Sequence, residues 1–309
     1  MPYYLLAESN RRLREDAAGF IREAEEACHR RITEIAAHIR DTRDACPVVL
    51  ISGPSGSGKT TTALKLEKKL DEWGLETHTL SMDNYFRTLT PEQHALLAEE
   101  KLDLESPDRV DISLLNEQLA AMVACRPVAL PRFDFHTHAR AAETTPLCRR
   151  PGEILILEGI HVLNPAVVTL PEEQTTRLYV SVRSRVQTDE GRVLHPQWIR
   201  LLRRMLRDTR YRGRSVAHTR QMFDSVQRGE NAYIMPHKYR STFDIDTFCP
   251  YELNVYRAAL LDPLRELAAT DPDMAVLVTM LEQAAPLDPA LVPATALIRE
   301  FVGDSVYYE

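Results

Sequence analysis

The chain has 309 residues, of which 44% are hydrophobic and 27% charged, with a formal net charge of -7 at pH 7. That length supports a sizeable core, and the acidic balance excludes a protein whose main task is to coat nucleic acid or an anionic membrane, so positive charge has to be concentrated locally. The five cysteines (Cys28, Cys46, Cys125, Cys148 and Cys249) are odd in number, scattered and never in C-x-x-C spacing. This speaks against a disulfide framework or a zinc site and for a reducing, cytoplasmic setting. No apolar run reaches membrane-spanning length, and the run at residues 3–7 is too short for a secretory core.

Residues 8–42 read as a heavily charged helix. Ala17, Phe20, Ile21 and Ala24, then Ile32, Ile35, Ala36 and Ile39, each fall at i, i+3, i+4, i+7. The stripe fits packing on its own domain or on a partner. Pro47 then punctuates a change of pattern. Residues 48–62 read V-V-L-I-S-G-P-S-G-S-G-K-T-T-T, an apolar strand feeding a glycine-rich turn and a helix start, with Gly53, Gly58, Lys59 and Thr60 satisfying G-x-x-x-x-G-K-[ST]. Glycines let N–H groups approach an anion and the helix start adds its dipole, so Gly53, Ser55, Gly56, Ser57, Gly58, Lys59, Thr60 and Thr61 form a candidate polyphosphate cradle. Lys59 would reach the β- and γ-phosphates, and the Thr60 hydroxyl would complete the shell of a bound Mg²⁺. In the following helix Ala63, Leu66 and Leu70 form the apolar stripe, while Lys65, Lys68 and Lys69 are expected to face away.

Further on, residues 77–80, 154–157 and 178–182 read as strands, and residues 112–123 as a helix behind Asp111 as N-cap. The alternation predicts an α/β fold with a mostly parallel sheet covered by helices, and places ligands beyond the carboxyl ends of the strands. Asp83, in S-M-D-N-Y-F after the second strand, is the best candidate for a general base, against the plainer reading of a turn residue. Arg200, Arg203, Arg204 and Arg207 share one helical face, suited to a migrating phosphoryl group or, alternatively, to solvent or nucleic acid. Residues 294–302 are expected to form a last short helix ended by Gly303.

Three stretches follow the phosphate loop in order: L-E-S-P-D-R-V-D from Leu104, P-R-F-D-F-H-T-H-A-R from Pro131, and E-G-I from Glu158. Together with R-R-x-x-R-D at Arg203 and R-G-R at Arg212 they resemble the uridine kinase and phosphoribulokinase family over most of residues 48–256. The resemblance implies a P-loop kinase fold at residues 47–260 with an arginine-rich lid near 198–215, a helical extension at 1–46 and a helical segment at 261–309. It also implies ATP and Mg²⁺, a nucleoside acceptor, no stable nucleic-acid partner and no membrane; homo-oligomerisation stays open.

Residue by residue, the resemblance makes Asp83 the group that takes the proton of a nucleoside 5′-hydroxyl. Glu105 stands where the family keeps an aspartate for ribose hydroxyls, and Phe133 where uridine kinases have a tyrosine beside the base. His138 reads the polar edge of the base, Tyr85 lies with the acceptor, and Glu158 helps to hold Mg²⁺. Arg204 and Arg207 face the reacting groups, while Arg212 and Arg214 lie nearer the ATP phosphates. A core phenylalanine, a surface histidine and a turn glutamate are the plainer readings of Phe133, His138 and Glu158. Uridine or cytidine is the first acceptor to try. A sugar-phosphate kinase and a nucleotide-binding regulator without turnover are the competing readings.

Overall fold

A computed structural model describes residues 3–99 and 101–308. Its centre is a five-stranded sheet of β1 (Val48–Ser52), β2 (Thr77–Ser81), β3 (Ile154–Glu158), β4 (Thr175–Ser181) and β5 (Phe243–Asp246). The spatial order is β5-β4-β1-β3-β2, and every pairing is parallel. β1 and β3 are buried along their whole length, which is why they read as continuous apolar runs rather than alternating ones.

Alternation still decides which residue meets which layer. Val49 and Ile51 share one core with Ile32, Ile35, Ala36 and Ile39 of α1 (Leu6–Thr42) and Ala63, Leu66 and Leu70 of α2 (Lys59–Asp71). Val48 and Leu50 face the opposite core, with Leu115, Leu119 and Met122 of α3 (Ile112–Val123). Asp111 caps α3 by accepting the Leu114 N–H at 3.3 Å. A third core joins α4 (Pro196–Tyr211), α6 (Glu252–Ala268), α7 (Ala275–Gln283) and both ends of the chain, through Leu6, Phe20 and Ile21 and through Leu297, Ile298 and Phe301. Between α4 and α6 runs α5 (Val216–Gly229).

Several expectations are adjusted. The first helix leaves helical geometry at Asp16 (φ -156°, ψ 84°), whose carboxylate accepts the Gly19 N–H at 2.8 Å and so caps the second half. Lys65 does not face away: it lies between Cys28 and Glu25 of α1, at 3.8 and 3.6 Å, because α1 covers that side of α2. A small sheet pairs Tyr3–Leu5 with Arg185–Gln187, a contact too distant in sequence to leave a local signal. Of residues 294–302, Arg299–Val302 alone forms an α-helix. The preceding residues run in three-residue turns, and Arg299 donates to the carbonyls of Pro289 and Val292 at 2.8 and 2.5 Å. No helix among the described residues is long and apolar enough to cross a membrane.

Since Ile35 is fully buried between α1 and the sheet, Ile35→Ala is expected to cost about 2–5 kcal/mol of unfolding free energy, as a helix integral to the core requires. Denaturant melts read this out; a loss below about 0.5 kcal/mol, the range of a surface change, would show α1 to be an appendage.

Candidate active site

The phosphate loop is fixed by its contacts with neighbouring strands. Where β1 ends, Ser52 Oγ donates to the Ile160 carbonyl at 2.9 Å. A Cβ on Gly53 would stand 1.9 Å from the Val180 carbonyl oxygen, so only glycine lets the loop leave the sheet there. Gly58 takes the left-handed conformation (φ 86°) that turns the chain into α2. Lys59 Nζ donates to the Pro54 carbonyl at 3.3 Å, within the loop. Thr60 is partly exposed beside it. Thr61 is engaged from the far end of the chain: its hydroxyl donates to Glu300 at 2.6 Å and lies 2.9 Å from the Tyr308 hydroxyl.

Around Lys59 the strand ends bring acids together. Ser81 of β2 pairs in register with Glu158 of β3, so the turn carrying Asp83 starts beside Glu158. Burial pushes both carboxyls above their ordinary values; the charge of Asp83 adds to the rise at Glu158, and Lys59 opposes it at both. Glu105 rises to about 7, by burial first, with Arg204 the principal opposing charge, and its Oε2 has no hydrogen-bond partner. Burial takes His161 down to about 4, so its imidazole is neutral at physiological pH. The carboxylate and hydroxyl oxygens of Glu158, Asp83 and Thr60 are the hard donors Mg²⁺ takes. Among the described residues no three metal-ligating side chains gather, so the remaining ligands would have to be phosphate oxygens and water.

On the other flank, Phe133–Asp134 and Ala139–Arg140 form a short hairpin. Phe86, Phe133 and Phe135 meet edge to face, with centroids 5.2–6.3 Å apart. Phe133 is buried, whereas Phe135 is 56% exposed and continues the aromatic strip to the surface. The Arg109 guanidinium lies 5.6 Å from the Phe86 centroid. His138 sits at the hairpin turn with φ 50°, its imidazole held below the ordinary value by burial and then by Arg109. Tyr85 departs from expectation. In the three-residue period of the turn Met82–Tyr85 it shares the inward side with Met82, and its hydroxyl donates to Gln118 at 2.8 Å in the core.

The arginine helix divides its labour. Arg204 is buried with a guanidinium N–H on the Ser55 hydroxyl, and Arg207 stands near Asp83 and 3.6 Å from Asp208. Buried Asp208 also pairs with Arg212 at 3.2 Å, and its carbonyl accepts the N–H groups of Arg212 and Arg214. Arg214 is close enough to His138 to depress it, so its charge reaches the acceptor flank. Arg200 and Arg203 are neither solvated nor turned to the reacting groups: both are buried against the back of the phosphate loop. Their partners Glu230 and Glu252 carry no assignment in the sequence analysis. A buried arginine needs a buried acid, and that was the available signal for them. Thr247, Glu300 and Tyr308 leave no local signal at all.

The chain matches the model of the Phosphoribulokinase / Uridine kinase family over residues 48–249. A uridine kinase of Lactobacillus johnsonii is 34% identical over 196 residues, covering 62% of this chain and 82% of its own. One from Staphylococcus haemolyticus is 32% identical over 194 residues, covering 62% and 83%. A solved structure described as a possible uridine kinase from Bacillus stearothermophilus superposes on 71% of this chain and 100% of its own, with a TM-score of 0.46 at 17% identity, a likeness too loose to carry an argument. With its phosphate loop leading from the central parallel strand, the chain belongs to the phosphoribulokinase and uridine kinase family of P-loop kinases.

Proposed function

We propose that the protein transfers the γ-phosphoryl group of ATP to the 5′-hydroxyl of a ribonucleoside, with uridine or cytidine as the acceptor. The observation that carries this reading is Asp83 itself: a carboxyl in the turn that follows Ser81, which pairs in register with Glu158, raised by burial and held back chiefly by the charge of Lys59. A carboxyl that close to the charge of Lys59 can accept the proton of an attacking hydroxyl. The edge-to-face strip of Phe86, Phe133 and Phe135 supports a planar base rather than a bare sugar phosphate. His138, its imidazole held below the ordinary value by burial and then by Arg109, can hydrogen-bond the edge of that base, and Glu105 can take the ribose hydroxyls.

In this reading Gly53, Ser55, Gly56, Ser57, Gly58, Thr60 and Thr61 line the donor-phosphate site, the Gly56 and Gly58 N–H groups among those offered to the phosphates, and Lys59 follows the transferred group. Arg204 and Arg207 neutralise charge that develops on it, with Arg212 and Arg214 closing above. Mg²⁺ at Thr60 and Glu158, when bound, screens the phosphate oxygens. A cytoplasmic setting agrees with five unpaired cysteines.

Nucleosides and sugar phosphates offered with ATP and Mg²⁺, scored by product mass, test the acceptor. A nucleoside monophosphate is expected, and turnover with sugar phosphates alone would replace this reading by the phosphoribulokinase-like one. Lys59→Ala is expected to abolish most turnover by removing a charge worth on the order of several kcal/mol in the transition state. Asp83→Asn should keep nucleotide affinity while kcat falls by about 10²- to 10⁴-fold in single-turnover measurements. A change within about threefold, far short of that range, would make Asp83 a turn residue and the protein's base another group.

Glu105 gives a pH signature. Its folded value of about 7 lies above the ordinary 4.5, so between these limits the folded state holds the proton more tightly than the unfolded one. Its contribution to stability is therefore largest at low pH and is lost as pH rises through about 7. Glu105→Gln, which does not titrate, is expected to flatten the fall in Tm across that window. Parallel Tm profiles for the two proteins would refute the assignment.

A further inference from the structure

The backs of three consecutive peptides of the phosphate loop are held by side chains outside it. Arg200 Nη1 donates to the Ser55 carbonyl at 3.1 Å, Arg203 Nη1 to the Gly56 carbonyl at 3.3 Å, and Thr247 Oγ1 to the Ser57 carbonyl at 2.7 Å. A trans peptide carries its C=O and N–H on opposite edges. Drawing these carbonyls backward therefore turns the N–H groups of Gly56, Ser57 and Gly58 to the opposite edge, the inner side of the loop, where the Ser57 N–H meets the Pro54 carbonyl at 3.2 Å, the same oxygen that Lys59 Nζ reaches.

The holders are themselves held. Arg200 forms a two-pronged pair with Glu230 at 2.6 and 2.7 Å, and Glu230 also accepts the Ser55 N–H at 3.2 Å. Arg203, with no exposed surface, forks onto Glu252 at 2.8 and 3.1 Å and donates to the Thr247 carbonyl at 2.6 Å and hydroxyl at 3.2 Å. Glu252 is fixed in turn by the Cys249 N–H and the Tyr256 hydroxyl, each at 3.0 Å. Each arginine is neutralised by its own glutamate, so the pair adds little net field at the phosphates. What it adds is direction.

We infer that Arg200, Arg203 and Thr247 are positioning residues that aim the phosphate-loop amides at the donor phosphates. The inference rests on the reading of this loop as the donor site and is independent of which acceptor is used. It gives α4 two tasks one position apart: Arg203 orients the loop from behind, and Arg204 reaches the Ser55 hydroxyl.

Thr247 offers the cleanest test, because Thr247→Val removes one hydroxyl and keeps the shape. Calorimetric titration of the full chain with inorganic tripolyphosphate reads the loop without base, ribose or acceptor. Thr247→Val is expected to weaken tripolyphosphate about three- to tenfold, the worth of one net hydrogen bond. Thr247→Ser should return affinity to within about twofold by restoring that bond. Unchanged affinity in Thr247→Val, or no rescue by Thr247→Ser, would overturn the inference. Arg203→Lys, which lacks the planar fork, should weaken tripolyphosphate at least as much as Thr247→Val if it folds. Failure of the unaltered protein to bind tripolyphosphate would remove the donor-site assignment as well, whereas a wrong acceptor would leave every one of these measurements standing.

Discussion

An anion-binding loop works only when successive N–H groups converge, and convergence leaves the carbonyls on the other side of the same peptides in need of partners. In a buried loop those partners have to come from protein. Here the requirement is met by α4, the strand-end residue Thr247 and two buried acids, so the phosphate loop is the front of a network that runs through three segments of the chain. Much of the architecture follows from that arrangement. The arginine helix has to lie against the loop, α6 has to begin with Glu252, and the turn after α5 has to present Glu230.

The front of the site has the opposite problem. Asp83, Glu158 and Glu105 lie where burial disfavours their charge, and Lys59 is the cation common to all three. Desolvated carboxyls held back by one lysine charge form a strongly polar site whose ionisation depends on the charges around it. The parallel sheet makes this possible, because every strand delivers its carboxyl end to one side of the molecule. Ser81 and Glu158 are neighbours for that reason, although 77 positions separate them in the chain.

The family match ends at residue 249, but the packed molecule does not. Helix α1 supplies a wall of one sheet face, and the last residues return to the phosphate loop, where Glu300 and Tyr308 meet Thr61 and Leu297 lies against Gly58. Both terminal segments are thus packed parts of the molecule, one on a sheet face and the other against the phosphate loop and the start of α2.

What the sequence alone determined is local. The phosphate loop, its strand and helix, the cap of α3 and the arginine spacing were legible because each depends on residues within about a turn or a strand of one another. The sheet's parallel character was legible for a related reason, since short apolar runs alternating with helical ones leave little other choice. Tertiary structure decided what each face looks at. Four arginines at helical spacing read as one positive surface, yet two are neutralised behind the loop by acids 30 and 49 positions away. Tyr85 sits two residues beyond Asp83, yet the period of a tight turn sends its hydroxyl into the core. Helical and strand periods fix which side chains share a face; the partner that face meets is set by long-range packing, whose contacts carry no signature in the local pattern of either segment.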